Sequence, residues 1–429
     1  MTTDSGRVEN APDPDSPGIA TAYLRLALRL DQHLPGFVDG YFGPPALKAQ
    51  VDLEALPSLN RLAADAAELR TGVEAEVGER HRRTWLIAQL RAIEANARAL
   101  DEAPTGLTGT AYLDHVEQCF DWLPAGRPPE QFAAARAEVD RLLPGPGPAI
   151  ERLAEWDAGL VVSPDRLRAV LDWLVERFRE RARTLFGLPD GEGLRIGIGR
   201  DQPWGGYNWY DGRLQSRFDL NTDLPIRAPE LIGLVAHETY PGHHLEHAWK
   251  ESSLVDGEGR LECSVLLINT PECLVSEGLA DLGRQFAVPP EDELGLLEEL
   301  LDRAAINPRA GGRSRSDLAA TAIALGTQRR RLREFDVNAA LRRHAQGADH
   351  ATVRNELEQI ALLSPERAEK TLEFIEDPLW RTYIYVYSAG EALLRRWLEA
   401  VPRPDQPARF RRLLTEQLSP ATIVAELGS

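Results

Sequence analysis

The sequence predicts a mainly α-helical protein with one small antiparallel β-sheet, and three observations carry that expectation. Stretches such as "RRTWLIAQLRAIEANARALDE" repeat apolar residues at helical spacing. Pro/Gly turns punctuate them. One stretch alone, 190–224, switches to short alternating segments rich in aromatics, immediately before a histidine cluster.

Along the chain, residues 1–17 are polar and rich in Pro and Asp, and are expected to form a disordered tail. They lack the basic start and apolar core of a signal peptide, so a cytoplasmic location is expected. Residues 18–429 are expected to form a single large unit, with an all-helical lobe at 18–188 and a lobe of sheet plus catalytic helices at 189–429. In the first lobe, "SPDRLRAVLDWLVERFRERARTLFG" opens with Ser163 as cap and Pro164 in the first turn. At 190–224, Asp211-Gly212 suits a tight hairpin turn between "YNWY" and "RLQSRFDLN". Helices then resume, including "ATAIALGTQRRRLREFDVNAALRRHA" and "LWRTYIYVYSAGEALLRRWLEAV".

Composition narrows the function classes. The 429 residues are 43% hydrophobic and 27% charged, ample for a globular core. With 49 Lys+Arg against 67 Asp+Glu, the net charge of −18 repels phosphate backbones and anionic bilayers, so neither nucleic acid nor membrane is an expected partner. Cys119, Cys263 and Cys273 form no C-x-x-C pair and sit in apolar contexts that fit buried thiols.

The chemistry concentrates at residues 237–244, "HETYPGHH". Four of nine histidines (His237, His243, His244, His247) fall within eleven residues, a density that fits metal binding better than packing. The start matches the H-E-x-x-H zinc motif, yet Pro241 stands where the second histidine belongs. In an unbroken helix His244 would return to the face of His237 but ~10.5 Å further along the axis, too far for a shared ion. Pro241 removes a helical hydrogen bond and Gly242 permits a loop, so a bulge could bring His243 to the missing position. A second motif overlaps the first: "HHLEH" at 243–247 matches the inverted H-x-x-E-H pattern, with Glu246 as base. A histidine cluster without metal is the third alternative.

A further ligand is expected from "NTPECLVSEGLADLGRQF". Pro271 suits a first helical turn, Glu277 would face the ion, and Asp281 one turn on could orient a ligand histidine. A plain surface pair of acidic residues fits the same spacing.

"HETYPGHH" resembles the H-E-x-x-P-G-H-H signature of the bacterial domain-of-unknown-function-885 family, which is related to zinc metallopeptidases of the thimet-oligopeptidase and Taq-carboxypeptidase kind. "LPGFVDGYFGPPAL", "YNWYDGRLQSRFDLNTDLP", "SEGLADLGRQF" and "YIYVYSAGEALLRRW" also resemble family segments, with departures at Leu279 and at Gly283 or Arg284. The resemblance implies one Zn²⁺ per chain held by His237, a histidine of the His243/His244 pair and Glu277. Of the pair, the bulge favours His243, leaving His244 a supporting or substrate role. The resemblance further implies Glu238 as general base; where the family shows Gln at the position of Glu246, the inverted motif loses its base.

The chemistry expected is hydrolysis of a peptide or small amide, the ion polarising a carbonyl and acidifying water while Glu238 takes the proton. Tyr383 and Tyr387 are candidates for holding the oxyanion, with core packing as the alternative. A non-peptide amidohydrolase and a non-catalytic binding protein on the same scaffold are the competing functions.

Overall fold

The computed structural model describes residues 18–103, 106–202, 204–308 and 314–428. The expected tail at 1–17 lies outside the described residues. The protein is mainly helical with two small β-sheets. Among the described residues no helix is long and apolar enough to cross a membrane.

Helix starts follow the local signals. Ser163 caps the helix Pro164–Phe186 and Pro164 lies in its first turn. Pro229 begins the helix Ala228–Glu238. Pro271 begins the helix Pro271–Ala287, where the Thr270 hydroxyl accepts from the Cys273 N–H at 3.5 Å. All three cysteines are buried and free.

The sheets differ from the expectation. The strands in chain order are β1 (Val38–Tyr41), β2 (Gly193–Gly199), β3 (Gly206–Gly212), β4 (Gln215–Asn221) and β5 (Val265–Leu267). β3 and β4 form the expected antiparallel hairpin, but β2 adds to β4 in parallel, giving a mixed sheet in the order β2-β4-β3. The turn falls two residues later than read: Gly212 ends β3 after a register shift, and Arg213 and Leu214 take the left-handed backbone region at φ 56° and 60°. Both residues tolerate it because their N–H groups donate to the Glu251 carboxylate, each at 2.9 Å. The second sheet pairs β1 with β5 antiparallel.

The apolar interior falls into two clusters. One gathers Leu24, Trp85, Tyr112, Phe132, Leu274, Leu372 and Tyr385; the other gathers Leu171, Phe178, Phe218, Leu231, Leu279 and Trp397. The helix Pro164–Phe186 belongs to the second, so the packing does not divide at residue 188. Among the described residues three helices serve both clusters. Arg315–Arg333 gives Leu325 to the first and Ala319 to the second. Pro271–Ala287 gives Cys273 and Leu274 to one and Val275 and Leu279 to the other, and Val386–Glu399 does likewise with Ala389 and Leu394. The last two cross where Gly278 meets Gly390; a Cβ on Gly278 would stand 2.3 Å from the Gly390 carbonyl carbon, so only glycine permits the approach. Glu277 is thereby fixed at the seam between the clusters.

Candidate metal centre

The helix Ala228–Glu238 buries Leu231, Ile232 and Val235 and delivers His237 and Glu238 in its last turn. It stops at Thr239, the Tyr240–Pro241 bond is cis, and the chain re-enters a helix at His243–Lys250. Gly242 lies against the preceding helix end, where a Cβ would come within 1.8 Å of the His237 carbonyl oxygen. Its N–H donates to the Ala236 carbonyl at 3.0 Å, and its own carbonyl accepts from the Glu246 N–H at 3.0 Å. The break thus folds the second helix back on the first. Gly283 leaves room for the Pro241 ring, which a Cβ there would meet at 3.1 Å.

The result is a compact donor set. His237 Nε2 and His243 Nε2 face each other at 3.1 Å. The Glu277 carboxylate lies 3.3 Å from His237 Nε2 and 3.5 Å from His243 Nε2. Zinc bonds of ~2.0–2.1 Å in a tetrahedron imply ligand–ligand edges of about 3.3 Å, which these separations bracket. His237, His243 and Glu277 could therefore hold a metal ion.

The surroundings test that fit. His237 Nδ1 lies 3.0 Å from Asp281 Oδ1, the arrangement in which the ring donates to the carboxylate and leaves its Nε2 lone pair free. His243 Nδ1 faces Ser276 Oγ at 3.4 Å and Glu246 Oε2 at 3.6 Å, so its Nε2 is free in the same way. Two lone pairs and a carboxylate turned onto one point repel unless a cation or protons intervene. Glu277 Oε2, buried among them, has no hydrogen-bond partner. Electrostatics express the same demand for positive charge. Burial lowers the His243 pKa, but Glu277 and Glu246 outweigh it and push it up to about 10. His237 is raised against its burial by Asp281 and Glu277. Burial raises Glu277, yet the two imidazoles hold it well below the usual carboxylate range.

Glu238, beside His237, is buried, and its pKa is raised by that burial despite the attraction of His237 and His243. Its backbone carbonyl accepts from Asn208 Nδ2 of β3 at 2.9 Å, which ties the helix end to the sheet.

His244 is not brought to this group. It is fully buried, with Nδ1 2.8 Å from Ser216 Oγ of β4 and Nε2 2.9 Å from Glu192 Oε2. Glu192 also accepts from Tyr240 at 2.5 Å and from Arg179 at 2.6 Å. This network fastens the Pro-Gly loop to the mixed sheet.

The inverted motif also forms a group, since His243, Glu246 and His247 offer donor atoms to one another. Its carboxylate is already engaged, however. Glu246 accepts from Lys250 Nζ at 2.7 Å and from Ser276 Oγ at 2.6 Å, and Lys250 also pairs with Glu272 at 2.8 Å. Burial raises the Glu246 pKa, but Lys250 and His243 bring it far below normal.

The tyrosines separate. Tyr383 is buried and donates its hydroxyl to Glu277 Oε1 at 2.5 Å. Tyr387 is 36% exposed, with its ring centroid 6.5 Å from that of His237.

Sequence reasoning missed Asp39. It projects from β1 and accepts a hydrogen bond from Tyr207 of β3, and the charges of His243 and Glu277 both act on it. Its place in "LPGFVDGYFGPPAL" was the available signal.

No protein-family profile and no curated protein matches the chain. Solved structures do. The "putative lipoprotein from Colwellia psychrerythraea" is 14% identical, with 94% of this chain and 70% of that chain covered at a TM-score of 0.50. The "putative lipoprotein of unknown function from Shewanella oneidensis" is 12% identical over 96% and 72%, with a TM-score of 0.48. A chain described as "BsuCP" is 10% identical over 93% and 88%, at 0.38. At these identities the likeness concerns the fold alone, and of these three the Colwellia protein reaches a TM-score of 0.50.

Proposed function

We propose that this protein is a zinc-dependent hydrolase of peptide or amide bonds, with His237, His243 and Glu277 holding one zinc per chain and Glu238 acting as general base. The observation that carries the reading is the convergence of two free imidazole lone pairs and an unpartnered buried carboxylate oxygen, with a second buried carboxylate, Glu238, on the adjoining residue. Zinc bound there would supply Lewis-acid polarisation of a carbonyl and make water acidic enough to give up a proton near neutral pH. Glu238 receives that proton and returns it to the leaving amine. Tyr387, partly exposed beside His237, would donate its hydroxyl to the substrate carbonyl oxygen as negative charge develops. Asp281 and Tyr383 keep His237 and Glu277 in the required orientation.

This reading keeps the chain with the domain-of-unknown-function-885 family as its proposed relative. It also keeps the cytoplasm as the proposed location; the word lipoprotein in the description of the Colwellia structure favours the cell envelope as the second reading, and cell fractionation decides between them.

The test is hydrolysis of a peptide library and of simple amides by the zinc-loaded protein. Chelation should abolish cleavage and added zinc restore it. Glu238→Gln should keep the metal and lose about 10²–10⁴-fold in turnover. Full activity in Glu238→Gln, or activity indifferent to chelation, rules the reading out.

A further inference from the structure

Beside the metal group, β1 and β3 carry a constellation that the reaction does not use. Trp204, Tyr207 and Trp209 form a continuous aromatic surface: Trp204 stacks on Tyr207 at 5.6 Å between centroids, and Tyr207 meets Trp209 at 4.6 Å. Tyr207 and Trp209 share one face of β3, because side chains alternate along a strand. The opposite face, Asn208 and Tyr210, is taken up by the Glu238 carbonyl and by Glu251. The aromatic face is therefore the outward one, and Trp209 is 38% exposed. At its border stands Asp39, exposed, fixed by the Tyr207 hydroxyl and without an ion pair to any Lys or Arg among the described residues.

We infer that Asp39 with the Trp204–Tyr207 surface forms a substrate subsite for an alkylammonium group, either the free α-amino end of a short peptide or a lysine side chain. The inference rests on the hydrolase reading for its location but not for its test. Three observations support it. A carboxylate fixed by a neutral donor has no cation of its own and can pair with that of a ligand, and the aromatic faces next to it attract a cation through their quadrupoles. Arg217 already lies over the Trp209 ring at 5.8 Å, which shows that this surface takes a cation and leaves Trp204 and Tyr207 for the ligand. Finally, Asn208, the neighbour of Tyr207 on β3, binds the Glu238 carbonyl at 2.9 Å, so the strand that holds Asp39 is tied to the helix end that carries Glu238.

The experiment is direct binding, read by tryptophan fluorescence and titration calorimetry on the zinc-loaded Glu238→Gln protein, which should not turn substrate over. The probes are trialanine amide, its N-acetyl form, and N-acetyl-Ala-Lys-Ala amide, at about 0.15 M salt to screen the general negative field. Loss of a charge-assisted hydrogen bond costs about tenfold or more in affinity. Trialanine amide should bind at least tenfold more tightly than its acetylated form if the α-amino end is recognised. The lysine peptide should do so if a side chain is. Adding Asp39→Asn should erase the difference, and Tyr207→Phe should reduce it. Equal binding of all three probes, a preference that survives Asp39→Asn, or no measurable binding of any probe overturns the subsite. Because acetylation alters the ligand rather than the protein, the result stands even if Asp39→Asn folds poorly. Amine-dependent binding in a protein whose parent cleaves nothing would keep the subsite and refute the hydrolase; cleavage without amine preference would do the reverse.

Discussion

Two histidine groups share His243, and both could hold an ion, but their charge balance differs. In the group with His237 and Glu277, two ring nitrogens with free lone pairs face each other at 3.1 Å and a buried carboxylate oxygen is unpartnered. In the group with Glu246 and His247, the carboxylate is satisfied by Lys250 and Ser276, and His247 is kept neutral, its pKa lowered by burial to about 3. Both obey a zinc-protease spacing rule. What separates them is the counter-charge: an ammonium already occupies the place of positive charge in the second group, whereas the first has none of its own. Spacing therefore identifies the helices, and buried charge balance identifies the ligands.

The largest expected contrast between the groups lies in their carboxylates. Glu238→Gln should lower turnover at least about a hundredfold more than Glu246→Gln, since only Glu238 is expected to move a proton. Glu246→Gln should instead weaken the fold by about 1–3 kcal/mol, because Lys250 loses one of two buried partners, and urea denaturation measures it. Comparable turnover in the two mutants would erase the distinction. Next in size, Asp281→Asn should weaken zinc affinity by about 10–100-fold in a competition titration with a chelating dye, through loss of the His237 orientation, with little change in stability. An unchanged affinity would mean that Asp281 does not fix the ring.

Smaller effects probe the frame around the groups. Gly278→Ala should cost about 1–3 kcal/mol in thermal or urea unfolding, because the added methyl presses on Gly390 where two of the shared helices cross. Smallest is the acid limb of the His244 network. Burial raises the Glu192 pKa, but His244, Tyr240 and Arg179 bring it down to about 2 from the usual 4.5. A depressed carboxylate contributes stability that is complete above about pH 4.5 and is lost as the pH falls towards about 2. Discounted for the partly exposed Arg179, that contribution is about 1–2 kcal/mol. Glu192→Gln should flatten this part of the stability profile, and an unchanged profile would mean that the network is not holding the charge.

Much of the site was legible in the sequence because its signals are local. Pro229 and Pro271 mark two helix starts, Pro241-Gly242 marks the break, and the four-residue step from Glu277 to Asp281 puts both on one face. The fate of His244 was less legible, because its partners Ser216 and Glu192 lie 28 and 52 residues away. The same holds for β1 and β5, where Val38 pairs with Leu267. The hairpin turn was misplaced for a related reason: a distant carboxylate, Glu251, satisfies Arg213 and Leu214 and overrides the preference for Asp211-Gly212. Local grammar locates helices and the faces that carry the candidate ligands, while the charge balance around each group depends on residues elsewhere in the chain.

The most direct test of that account is metal stoichiometry, measured by mass spectrometry of the purified protein and two folded variants, Glu277→Ala and His247→Ala. The account predicts about one zinc in the wild type, the same in His247→Ala, and little or none in Glu277→Ala. Zinc retained in Glu277→Ala and lost in His247→Ala would assign the ion to the inverted group and contradict it.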